Sequence, residues 1–306
     1  MQTPEEFGAR AAPYNAHEPA STSNDQPPAP NIDPDDPPWG FGMAFLVLVV
    51  TFLFLVFAPL VFLLPYAAYR GISFSSPDAT KGIAAFALND PTALFLQVLA
   101  TLPVHLLTFV VVWIVVTRFG KRPFWETLGW SWSGRFQLWT CIGIGVAMFF
   151  ASTGLAQLLG GDKPTQLDLI LSSSPGAKYV IVVLATFTAP FAEEFVYRGL
   201  LYSSLQRLIG KVGAVVLVLG LFTLVHVPQY LPNYGVIAAV CLLSIVLTVV
   251  RAVSGRLLPC VVIHMVFNGI QSILIITGVS GSKPKITPDQ LTGLVLPLLR
   301  SIRSLI

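Results

Sequence analysis

Charge is what this sequence has least of. Aspartate, glutamate, lysine and arginine make up 11% of its 306 residues while 54% are apolar, against about a quarter charged in soluble domains. So few charged side chains cannot coat a globule of this size, which excludes an ordinary soluble protein and makes lipid the solvent. Cysteine is equally sparse: Cys141, Cys241 and Cys260 fall singly inside apolar runs, with no CxxC pair. That excludes a disulfide framework and a thiolate metal cluster, and leaves small packing residues as their expected role. No internal repeat at solenoid spacing is present either.

The charge that is present is unevenly placed. Residues 1–40 hold Glu5, Glu6, Glu18, Asp25, Asp33, Asp35 and Asp36 against Arg10 alone, a balance of −6; since the whole chain is +3, the remainder is +9. A basic remainder suits anionic lipid headgroups, and membrane lipid rather than nucleic acid is the expected environment. The first forty residues are rich in Pro, Ala, Asn and Asp and nearly devoid of aliphatic side chains. They are expected to be a disordered acidic tail, since such a segment buries too little to offset its ordering entropy. An acidic leader of this length does not fit a signal peptide, so the apolar run after it is expected to stay as an anchor.

A membrane-crossing helix needs about 20 predominantly apolar residues. Windows at 41–69, 90–117, 136–159, 178–206, 212–229, 234–250 and 257–278 meet that need. The fold class expected is all-α, a polytopic transmembrane bundle of seven spans. The division expected is 1–40 tail, 41–160 N-terminal transmembrane helices, 178–275 core, and 287–306 an interfacial or short C-terminal helix. That last run, with Arg300 and Arg303 among its Leu and Ile residues, would make an eighth span if it crossed.

The loops predict orientation. Between the second and third spans stand Arg118, Lys121, Arg122 and Arg135 against Glu126, together with Trp125, Trp130 and Trp132. Lys/Arg excess marks the cytoplasmic side, and tryptophan sits at headgroup level. Arg207 with Lys211, and Arg251 with Arg256, fall on the same side under a seven-span count. The expectation is an integral, multi-pass protein of the plasma (inner) membrane with a cytoplasmic N-terminus. Lys283, Lys285, Arg300 and Arg303 would then lie outside, an objection that an eighth span would remove.

Against this background the stretch APFAEEFVYRGLLY, residues 189–202, stands out. After residue 40 the chain has three glutamates: Glu126 in a loop, and Glu193 and Glu194 inside a predicted span. The other ionisable residues deep in predicted spans are Arg198, His105, His226 and His264. Such residues face the bundle interior, pair with one another and mark function. Glu194 and Arg198, four apart, share a helix face and suit an ion pair; that pair has a purely structural reading, as mutual neutralisation. It does not cover Glu193, which points about 100° away and needs a partner from elsewhere. Candidates are FTLVHVPQY, with Phe222 and His226 four apart, and IHMVFNGI, with His264 and Asn268 four apart. A structural hydrogen-bond cluster among these groups is the alternative to a reactive site. His105 has no polar neighbour at helical spacing and is expected to be packed or backbone-bonded near Pro103. Pro190, one turn before Glu193, should free a backbone carbonyl and bend its helix. Pro228, close behind His226, leaves open the depth at which that histidine stands.

EEFVYR follows an EExxxR pattern, FTLVH an FxxxH pattern and HMVFN an HxxxN pattern. In that order they resemble the CPBP family, the type II CAAX prenyl endopeptidases and bacteriocin-processing proteins also called Abi proteins. The resemblance covers residues 178–275, including the run VRAVSGRLLPCVVIHMVFN; before 178 the likeness is only in being hydrophobic and helical. It implies an intramembrane endopeptidase acting on a membrane-tethered peptide or protein, CAAX-type prenylated substrates included. It also implies that Glu193 with His226 activates water, that His264 and Asn268 stabilise the tetrahedral intermediate, and that Glu194, Arg198 and Phe222 support them. Hydrolysis needs such a base and such donors.

Zinc is a possible cofactor, with Glu193, His226 and His264 as three ligands. The absence of an HExxH pair favours a metal-free glutamate mechanism instead. The competing function classes are a proton-coupled transporter and a non-proteolytic immunity or scaffold protein. The first would be expected to carry an inverted repeat and further charges in the first three spans; the second would tolerate the loss of motif residues, and none is lost here.

Overall fold

The structure is a computed structural model describing residues 32–161 and 163–278, all helix and connection. The helices are α1 (Phe41–Tyr69), α2 (Ala79–Asn89), α3 (Pro91–Leu99), α4 (Thr101–Thr117), α5 (Phe124–Thr127), α6 (Leu138–Leu158), α7 (Gln166–Ser173), α8 (Pro175–Val183), α9 (Ala189–Glu194), α10 (Tyr202–Tyr230), α11 (Tyr234–Ser254) and α12 (Leu258–Thr277). Among the described residues six continuous helices are long and apolar enough to cross a membrane, α3 and α4 acting as one and Pro175–Tyr230 as another.

Pro175–Tyr230 has 56 residues, or about 84 Å at 1.5 Å per residue, far beyond a bilayer core of about 30 Å. Gly210, at φ 74° and ψ 170°, breaks it. Those angles suit glycine, which has no Cβ to clash, and the break yields two spans. Seven crossing segments result, matching the seven windows. The region 287–306 lies outside the described residues.

Side chains such as Val61 and Phe57, 69% and 56% exposed, would be an aggregation surface in water and are the lipid-facing surface of this bundle. Inside, α12 packs against α6, α11 and the segment leading into α9. Its approach to α6 is close: a Cβ on Gly145 would lie 2.7 Å from Val266.

The span that carries Glu193 is not a uniform α-helix. Leu184–Thr188 and Phe195–Leu201 take the wider π register on either side of α9. Pro190 accounts for the first: it has no N–H and its ring crowds the preceding turn, and the wider π turn accommodates that misfit. In that register the Ala189 N–H reaches back five residues to the Leu184 carbonyl. The next donor would be Pro190, so the Ala185 carbonyl goes without a backbone amide and accepts from Asn268 Nδ2 at 2.9 Å.

The expected tail of 1–40 lies for its first 31 residues outside the described chain. Residues 32–40 form a packed strap instead. Trp39 is 5% exposed, and its indole donates to the Leu200 carbonyl at 3.1 Å. Arg251 Nη1 donates to Asp35 at 2.6 Å and Arg207 Nη1 to Asp36 at 2.7 Å. Composition places the boundary at residue 40 because the arginines that hold Asp35 and Asp36 lie 216 and 171 positions away. These contacts also bring Arg118, Arg207 and Arg251 to one end of the bundle, as the seven-span count requires.

Candidate active site

The buried cation is accommodated first. Arg198, on the π segment Phe195–Leu201, is fully buried and paired at 2.9 Å with the equally buried Glu194. A guanidinium out of water needs partners for its donors, and α11 supplies three more contacts. Nε donates to Thr248 Oγ1 at 3.2 Å, and Nη2 to Ser244 Oγ at 2.9 Å and the Ser244 carbonyl at 3.2 Å. The Phe222 ring covers the guanidinium at 4.5 Å, adding a cation–π contact. Neither Ser244 nor Thr248 was singled out from the sequence. Their spacing in SIVLT, four apart and thus on one helix face, was the available signal.

Glu194 Oε1 is shared. It accepts from Arg198 and from His264 Nδ1, the latter also at 2.9 Å, while Oε2 is buried without a partner among the described residues. Since a carboxylate only accepts, Nδ1 is the protonated nitrogen of His264 and Nε2 is the one left for chemistry. Nε2 stands 3.9 Å from Glu193 Oε2, too long for a direct hydrogen bond. The two adjacent glutamates therefore have different surroundings: Glu194 is sealed in protein, whereas the Glu193 side chain is 26% exposed.

Phe222 links the third element. Its ring lies against Tyr197, His226 and His264, at centroid distances of 5.1, 4.6 and 6.4 Å. His226 Nδ1 donates to the Phe222 carbonyl at 2.7 Å, which again leaves Nε2 as the open nitrogen. Among the described residues no hydrogen bond or ion pair joins His226 to Glu193, so His226 reaches the cluster through Phe222. Asn268 is one turn beyond His264 and spends a donor on Ala185; its amide has a second N–H.

The structure thus bonds Glu194, Arg198 and His264 directly, sets Glu193 beside His264, and places His226 and Asn268 at the margins. His105 departs from expectation: its Nδ1 lies 2.8 Å from the Thr188 hydroxyl, a side-chain partner on another helix that periodicity within α4 does not reveal. Cys141, Cys241 and Cys260 are free thiols, two of them buried. As for zinc, among the described residues no three His, Cys, Asp or Glu side chains converge closely enough to hold a metal ion. Glu193, His226 and His264 as arranged do not form that triad.

Neither the curated proteins nor the solved structures yielded a match. Residues 175–270 match the family model described as type II CAAX prenyl endopeptidase Rce1-like, and that segment holds the EExxxR, FxxxH and HxxxN motifs that resemble the CPBP family.

Proposed function

We propose that this protein is an endopeptidase that hydrolyses a peptide bond of a membrane-tethered substrate within the bilayer, prenylated CAAX-type C-termini included. The observation that carries the reading is His264 held between two glutamates of unlike setting, Glu194 on Nδ1 and Glu193 facing Nε2. A structural cluster needs only the first contact; the second leaves an open carboxylate and an open imidazole nitrogen side by side.

In the proposed reaction Glu193 takes a proton from water as the water oxygen bonds to the scissile carbonyl carbon. His226 Nε2 helps orient that water. The carbonyl oxygen becomes an oxyanion, stabilised by donors of the kind that dominate acyl-transfer catalysis: Asn268 from its second amide hydrogen, and His264 from Nε2 once that nitrogen has taken up a proton from solvent, which it keeps through the cycle. The tetrahedral carbon then expels the amine, which leaves with the proton that Glu193 took. Glu194 and Arg198 hold His264 in its tautomer and orientation, as the buried carboxylate does in a catalytic triad.

The deciding experiment reconstitutes the full chain in proteoliposomes with a membrane-anchored C-terminal reporter peptide. Cleavage by wild type and none by a folded Glu193→Gln variant supports the reading. Equal cleavage by both would sink it.

A further inference from the structure

We infer that the Pro34–Gly40 strap is a positioning element for the active site, clamping together the two helices that seat Arg198. One side of the clamp is the helix that carries Arg198. Trp39 Nε1 donates to the carbonyl of Leu200, two residues beyond Arg198 and within the same π segment. Carbonyls at the exit of this segment take side-chain donors: Leu201 accepts from Ser204 Oγ at 2.9 Å, and Leu200 from Ser203 Oγ at 3.1 Å as well as from Trp39. Trp39 is the donor among these that comes from outside the helix, so it couples the π segment to the strap.

The other side is α11. Ser244 and Thr248, which hold Arg198, are followed by Arg251 on the same face, four and then three residues on. Arg251 is 1% exposed; it donates from Nη1 to Asp35 at 2.6 Å and from Nη2 to the Pro34 carbonyl at 3.1 Å. Its guanidinium lies 5.3 Å from the Tyr202 ring, on the continuation of the Arg198 helix. Strap, π segment and α11 thus close a ring around Arg198. With its partner removed, Arg251 would be a buried cation without a counter-charge. Among the described residues no hydrogen bond or ion pair joins the strap to Glu193 or His264, so Trp39 and Asp35 act through Arg198 and Glu194. Misplacement of groups remote from the chemistry is a known way to lose rate without losing binding.

The activity arm of the test rests on the proposed protease reading; a second arm does not. The full chain in nanodiscs is compared as wild type, Trp39→Phe, Asp35→Asn and Asp35→Glu. Trp39→Phe keeps an aromatic ring and removes the N–H donor. The expected result is backbone amide exchange over residues 199–205 about fivefold faster in Trp39→Phe and Asp35→Asn. With it goes a kcat about tenfold lower at unchanged KM, and Asp35→Glu restores both. Unchanged exchange overturns the inference, as does faster exchange with unaltered kcat, which would make the strap a support of the helix and nothing more. If wild type itself cuts no substrate, the protease reading is what has failed, and exchange alone decides the strap.

Discussion

Glu194 and His264 are joined by a 2.9 Å hydrogen bond across 70 positions of sequence. It fixes the chemistry of the site more than any other contact. Because Glu194 can only accept, the bond sets the tautomer of His264 and points its free nitrogen at Glu193. Because Arg198 neutralises Glu194 from the other side, the bond persists in a medium where a lone carboxylate would be costly.

Glu193 and Glu194 should therefore fail in different ways. Glu193→Gln removes an open carboxylate that makes no hydrogen bond among the described residues; cleavage should fall by about a thousandfold or more, while yield and melting temperature stay near wild type. Rate measurements on the reconstituted protein, with melting followed in parallel, check this. A Glu193→Gln protein that fails to assemble would show instead that the cluster is structural.

Glu194→Gln strips the fully buried Arg198 of its counter-charge. Breaking such a pair from one side costs about 3–5 kcal/mol, so this variant should unfold at markedly lower denaturant. Arg198→Lys should not recover wild-type stability, since an ammonium cannot reach Glu194, Thr248 and Ser244 in the fork geometry observed. Equilibrium unfolding of the three proteins in one detergent separates these outcomes.

Chelation offers a third check. Glu193, His226 and His264 do not converge as a ligand triad, and the proposed steps run through their own protons. Prolonged dialysis against chelator should leave the cleavage rate unchanged. Loss of activity that added zinc restores would replace the glutamate mechanism with a metal-assisted one.

Much of this was legible in the sequence, for identifiable reasons. The spans follow from hydropathy because the bilayer imposes a length, and the Glu194–Arg198 pair follows from helical spacing. Periodicity within one helix cannot reveal partners on another. Thr188 beside His105, Ser244 and Thr248 beneath Arg198, and Arg251 waiting for Asp35 are all contacts between distant segments. The strap was the largest loss, since a stretch poor in aliphatic residues reads as tail until its arginines are located. Pro190 gave the opposite lesson: a freed carbonyl was expected from the proline alone, and only the acceptor's identity, Ala185, and its donor, Asn268, needed the structure.

That last pairing makes a prediction of its own. Asn268→Leu leaves the Ala185 carbonyl unsatisfied in an apolar interior, a loss of about 1–3 kcal/mol. The cause is the missing N–H of Pro190, so the cost should depend on it. In a Pro190→Ala background the new amide can bond back to residue 185 or 186, and Asn268→Leu should then be less destabilising. A double-mutant cycle on unfolding free energies should show coupling between the positions of about 1 kcal/mol. Additive effects would mean that Asn268 stabilises the helix by some route other than the carbonyl that proline leaves open. Activity should behave differently: Asn268→Leu also removes the second amide hydrogen proposed for the oxyanion, so the double variant should regain stability and remain slow. Recovery of rate together with stability would confine Asn268 to holding the helix.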